Sequence, residues 1–332
     1  DYTAYVNQWK IEYSLDNVDS YNNYISKLIV TNKKFNRYQS YIYNQILAKV
    51  SIDKNNTEDV YKYLNLCLKN SSSDSEKINI YNQFINYSEN IDDYNTLVIY
   101  LEKLYDILTD DREKKNIKLT ALEFHKINKN YSYLIAEIER LLNLSSFNDK
   151  RLFLNLELGK IYYQMKDYSS AKQIFYNITS DNSKKKETAE AFYLLAKINI
   201  EESFDFSTTK ELLEKSKNEK SSSKAGKLAK KTITKIEALE DLIYEYNLST
   251  NIDSSQNNEV LRADSLLFYI AESFYFDFSK IDSSILRYKE LIEKFPNSNP
   301  YAAMSLYALN GIDPINNFID PSESSWLDIA KQ

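Results

Sequence analysis

A single histidine, His125, and a single cysteine, Cys67, are all that this chain of 332 residues offers to nucleophilic or metal chemistry. Zinc sites, Cys–His pairs and hydroxyl triads each need several such groups converging on one point. Phosphate-binding loops and nucleophile elbows need closely spaced glycines, and the chain has 3 glycines in all. Paired acids remain, Asp92-Asp93 and Asp110-Asp111. Each pair precedes an apolar stripe, where a carboxylate caps free helical N–H groups. No catalytic residue, metal ligand or cofactor is therefore expected, and the chain reads as a non-enzyme.

The elements that would position any site come from a repeat. An apolar residue after a short polar turn returns at Tyr21, Val60, Tyr94, Tyr131, Tyr168 and Phe206, in steps of 39, 34, 37, 37 and 38. Seven places further on stand Leu28, Cys67, Leu101, Ile138, Phe175 and Leu213. Such a period marks helical hairpins that bury their faces against their neighbours. Hairpins are expected at about 2–31, 33–70, 74–108, 110–144, 147–180 and 184–218. By the same count His125 takes the place of Tyr162, six residues before the turn aromatic, and should be a satisfied core residue. Cys67 takes the place of Phe175 and should be an inert buried thiol.

Composition agrees. All 4 prolines lie at or beyond Pro296, so nearly 300 residues run without one. Strand-rich folds need tight turns and the residues that make them, so the chain should be all-α. A net charge of −6, with 42 basic and 48 acidic side chains, lacks the basic footprint of a nucleic-acid binder. No apolar run approaches a membrane span. The chain begins at Asp1 rather than Met, which leaves open whether a leader, a lipid anchor or a further domain was removed. Association with a membrane would then run through that anchor or through a partner.

Between 152 and 178 the chain resembles the tetratricopeptide repeat family, in Leu158, Gly159, Tyr162, Tyr168, Ala171 and Phe175. Gly159 and Ala171 are small where two helices would cross closely, and Phe175 and Tyr162 fill the space beside them. The unit at 189–216 is a weaker copy, with Thr209 where alanine is usual. A last unit at 265–296 closes on Pro296, as the family's repeats do. The stretch Ala271 to Ile312 is also similar to periplasmic repeat proteins of bacterial outer-membrane assembly and secretion. The first resemblance implies a right-handed superhelical solenoid of about seven to eight antiparallel hairpins. It also implies a concave face lined by Phe153, Leu156, Lys160 and Tyr163, by Tyr193 and Lys197 in the next unit, and by Lys126 in the previous one. Tyrosine beside lysine suits a protein or peptide ligand, since it offers flat contact area and donors.

The organisation expected is divergent hairpins over 1–144, then family-like repeats over 145–247 that include one long helix at 222–247. A flexible loop at 248–258, a C-terminal repeat with its following helix at 259–312, and an irregular tail at 313–332 complete it. Residues 210–235 hold nine lysines against three glutamates, a patch suited to an acidic partner or anionic lipid. The favoured reading is a protein-binding adaptor of a bacterial envelope complex, periplasmic and associated with the outer membrane, with the cytoplasm left open. A structural subunit docked through its convex face or ends is the alternative, and an accessory domain acting through the lysine patch is another.

Overall fold

The computed structural model describes residues 36–181, 183–251 and 263–312, and every regular element among them is helical. The chain forms two compact units, 1–148 and 149–332. The first holds α1 (Arg37–Asp53), α2 (Thr57–Asn70), α3 (Asp74–Asn90), α4 (Tyr94–Ile107), α5 (Asp111–Ile127) and α6 (Tyr131–Leu142). The second holds α7 (Arg151–Gln164), α8 (Tyr168–Asp181), α9 (Lys186–Glu202), α10 (Phe206–Glu219), α11 (Lys224–Asn251), α12 (Ala263–Glu272), α13 (Ile281–Lys294) and α14 (Tyr301–Ile312). Within each unit consecutive helices pack on one another, which makes the fold an all-α helical repeat. The hairpin expected at 2–31 and the tail at 313–332 lie outside the described residues. The long helix runs to Asn251, so the first part of the segment expected to be a loop is helical; residues 252–258 are not described.

One turn design explains the period. Asn55, Asp92, Lys129 and Lys166 each follow a helix with φ between 53° and 62°, the left-handed C′ position at which a helix stops. Each donates its N–H three residues back, and the next residue donates five back: Asn56 to Ser51, Asp93 to Ser88, Asn130 to His125 and Asp167 to Tyr162, at 2.8–3.2 Å. These bonds satisfy the last carbonyls of the first helix. The same next residue then caps the second helix. Asn56 accepts from the Asp59 N–H, Asp93 from Thr96 and Asp167 from Ser170. In these three turns one residue therefore ends one helix with its backbone N–H and begins the next with its side chain, and the turn needs three residues.

This geometry corrects the register read from sequence. The second helix starts at Thr57, not Val60, and the starts Thr57, Tyr94, Tyr131 and Tyr168 are spaced by 37, with 38 more to Phe206. Thr57 hides the match because it is polar where the other repeats carry an aromatic ring. With the register set, the third residue on is Val60, Leu97, Leu134, Ala171 or Thr209, each with no exposed surface. The seventh is Leu64, Leu101, Ile138, Phe175 or Leu213, at most 2% exposed. Cys67 belongs one turn later. It is buried, burial pushes its thiol up to about 12, and its Sγ lies 3.6 Å from the Tyr41 carbonyl.

Gly159 answers to its expected role. A Cβ built there would lie 2.5 Å from Cε1 of Phe175, so α7 and α8 approach through the missing side chain. In the first unit the core stacks Phe84 on Tyr100, ring centroids 3.7 Å apart and nearly parallel. Between α4, α5 and α6 lies a charged cluster. Lys118, 5% exposed in its side chain, sits 2.6 Å from Glu102 and 2.7 Å from Glu137. Arg140 holds both oxygens of Glu137 at 2.7 and 2.8 Å. Beside it the ring of His125 lies 4.1 Å from that of Tyr133. His125 is half-buried, and burial lowers its pKa. Its Nε2 has no hydrogen-bond partner, so it is not the satisfied core histidine expected.

Candidate partner-binding groove

The second unit contains a cavity of about 850 Å³. One wall is built by the turn before α8 and by α9, through Lys166, Tyr168, Tyr193, Lys197 and Glu201. The opposite wall comes from the turn between α12 and α13, through Asp277, Phe278, Lys280 and Asp282, with Thr232 of α11 completing it. Residues some 80 positions apart in sequence therefore share one lining.

Polar contacts fix the first wall. The hydroxyls of Tyr163 and Tyr168 both donate to the carboxylate of Glu201. Burial, then that carboxylate, raises the Tyr163 pKa; for Tyr168 the hydrogen bond to Glu201 comes first and pushes it up to about 12. Both rings stay neutral donors at physiological pH. The ammonium of Lys197 stands 5.2 Å from the centroid of the Tyr163 ring, a cation–π distance, and has no carboxylate partner among the described residues. Lys166 is exposed and likewise unpaired there.

The second wall is tied to the first by Lys280. It occupies the capping position held by Asn56, Asp93, Asn130, Asp167 and Asp205 in the earlier turns. It has no acceptor to offer its own helix. Instead its ammonium reaches the carbonyls of Ile200 and Glu201, at 2.9 and 3.1 Å, in the last turn of α9. There a positive charge meets the negative end of the helix dipole. Beneath, Phe204 packs against Phe206, Phe274 and Phe278, with ring centroids 4.7–6.3 Å apart. A π-helical turn at Ser273–Asp277 adds the residue that carries Lys280 to this contact: its N–H bonds six residues back, to Phe274.

The expected lining divides accordingly. Tyr193 and Lys197 line the cavity, and Tyr163 supports it through Glu201. Leu156 does not line it. It is 2% exposed and belongs to the core shared with Ala191 and Leu195, because α9 packs against α7. Phe153 is half-buried on α7. Lys160 is held between Glu157 and Glu190, at 2.9 and 2.6 Å. Burial works against its charge, but the carboxylates outweigh that and raise its pKa. Lys126 lies in the first unit, 2.9 Å from Glu123. Of the family-like residues, Leu158, Ala171 and Phe175 are core, Tyr162 and Tyr168 pack on it, and Pro296 stands just past the end of α13.

Sequence reasoning missed Lys166, Glu201, Asp277, Lys280 and Asp282. A lysine in a capping position was the available signal for Lys280. Among the described residues no group of three or more His, Cys, Asp or Glu could hold a metal, and no helix is long and apolar enough to cross a membrane. Residues 265–298, which span most of α12 and all of α13, match the family model described as Tetratricopeptide repeat. No curated protein matches the chain.

Proposed function

Taking the chain as a tetratricopeptide-like helical repeat protein, we propose that it is a non-enzymatic adaptor whose second unit holds an extended segment of a protein partner. Repeats of this kind generally mediate protein–protein interaction. The observation that carries the finer reading is the cavity of about 850 Å³ with Lys166 and Lys197 unpaired at its edge. Two ammoniums without counter-charges favour a segment bearing carboxylates. The Tyr193 ring offers contact area with little rotamer freedom to lose. Most of the other polar side chains are already fixed: Glu201 holds two tyrosines, Lys280 joins the walls and Asp277 pairs with Lys235. That leaves Asp282 as the one lining carboxylate with no ion-pair or hydrogen-bond partner among the described residues. Binding then needs little further ordering, and modest contacts suffice for affinity.

A bacterial envelope assembly as the setting is part of this proposal and rests on the resemblance of Ala271 to Ile312 alone. Cell fractionation tests it.

The groove is tested with Lys166→Glu and Lys197→Glu together, since neither side chain closes an internal ion pair. Substituting Lys160 or Tyr163 would break internal bonds and confuse binding with stability. The chain and its variant are used as baits in the native source, with circular dichroism checking that both melt alike. Loss of a specific partner from the variant is expected. Equal recovery of every partner would remove the groove from consideration.

A further inference from the structure

Helix α11 carries its charges in an unusual order. Lys224, Lys227, Lys230 and Lys231 are exposed in its first half, Glu237 at its middle, and Asp241 and Glu245 in its second half. None of these seven has an ion-pair partner among the described residues. Other lysines of the same basic stretch are paired: Lys210 with Glu240 at 2.6 Å and Lys235 with Asp277 at 2.5 Å. The order also opposes the helix's own dipole, which favours acids at the start. Helices α2, α3 and α5 follow that preference, with Glu58 and Asp59, Asp74 and Glu76, and Asp111 and Glu113 in their first turns. The first turn of α11 has no acid. Within α11 alone, nothing offsets this arrangement.

A second copy of the same helix, laid antiparallel, would offset it. At 3.6 residues per turn, Lys227, Thr234, Ala238, Asp241 and Glu245 fall along one exposed stripe, with Lys230 at its edge. We propose that this stripe is a self-association surface, in which α11 of one chain pairs with α11 of another about a two-fold axis near Lys235 and Ile236. A two-fold interface is self-complementary. Here Lys227 of each copy faces Glu245 of the other, and Lys230 faces Asp241. Thr234 meets Ala238 at the crossing, where short side chains let the helix axes approach. Exposed Leu248, 47% accessible, lies further along the same edge. Each basic half meets an acidic half, and the two helix dipoles run opposed.

The surface is small and charged, so the complex is weak and salt-sensitive. The test is sedimentation of the full chain at about 100 µM, where a weak interface is populated, in low salt and in about 0.5 M salt. The mass should rise towards twice 39.0 kDa in low salt and return to one chain in high salt. Two charge-swapped proteins sharpen it: Lys227→Glu with Lys230→Glu, and Asp241→Lys with Glu245→Lys. Each should be monomeric alone, because like charges then face each other. Mixed, they should form a one-to-one heterodimer, which also shows that both are folded. A wild-type chain that stays monomeric in low salt overturns the proposal. So do swapped chains that self-associate as the wild type does, or a mixture that fails to associate.

Discussion

Replacing Lys118 by methionine removes the ammonium and leaves Glu102 and Glu137 converging on an apolar side chain. Taking one partner from a buried ion cluster costs about 3–5 kcal/mol, since the other charge stays desolvated. Two features reduce this here. The Glu102 side chain is 31% exposed and can rehydrate, and Arg140 still holds both oxygens of Glu137. A loss of about 2–3 kcal/mol is expected. Removing Glu137 as well, as Lys118→Met with Glu137→Leu, should recover most of it, because a well-packed apolar replacement is often neutral. The assay is amide hydrogen exchange of α4, α5 and α6, which reports this unit directly. Protection should fall by about 30- to 150-fold in the single variant and return to within about tenfold of wild type in the double. Unchanged protection in the single variant, or an equal fall in both, would refute the reasoning.

The same cluster sets a pH dependence. Burial would raise the Glu137 pKa, but hydrogen bonds from Arg140 and Lys118 outweigh it and leave it below the ordinary 4.5. A depressed folded value contributes stability above about pH 4.5 that is lost as pH falls through it. Protection in α4–α6 should therefore drop in acid, and less so in the double variant. Gly159→Ala gains helix propensity of about 1 kcal/mol but sets a methyl 2.5 Å from a Phe175 ring with no exposed surface. With overpacking at about 1–3 kcal/mol, urea unfolding should show a net loss of up to about 2 kcal/mol. Lys129→Gly, at φ 54°, should stabilise by about 0.5–1 kcal/mol, because glycine removes the left-handed penalty at the cost of some unfolded-state entropy. Cys67 should resist thiol reagents at pH 8 in the folded protein and react fully in denaturant, as its buried, raised-pKa thiol requires.

Much of the architecture was legible because the repeat is written in apolar spacing. Gly159, Ala171 and Phe175 announced one helix crossing by size alone. The register of the α1–α2 hairpin was not legible, because the event that fixes it is a backbone dihedral at Asn55. With glycine almost absent from the chain, no residue type marks the left-handed position. Asn55, Asp92, Lys129 and Phe204 all occupy it. Half the groove was readable: Tyr193 and Lys197 follow from position within a hairpin. The other half was hidden because Lys280 meets Ile200 and Glu201 only after the chain has passed through α10, α11 and α12. Leu156 was misplaced for a related reason. Transfer by position along one helix ignores that α9 packs onto that face.

In a simple array of stacked repeats, each element touches its neighbours only, and the outermost can fray without disturbing those further in. Lys280 and the Phe204–Phe278 packing break that rule by fastening the α12–α13 hairpin to the end of α9. While that fastening holds, the α12–α13 hairpin cannot peel away from α11 alone, although α14, which packs on that hairpin and takes no part in the fastening, still can. Freeing that hairpin therefore uncovers α9 and α11 together, and the cavity loses one wall in the same step.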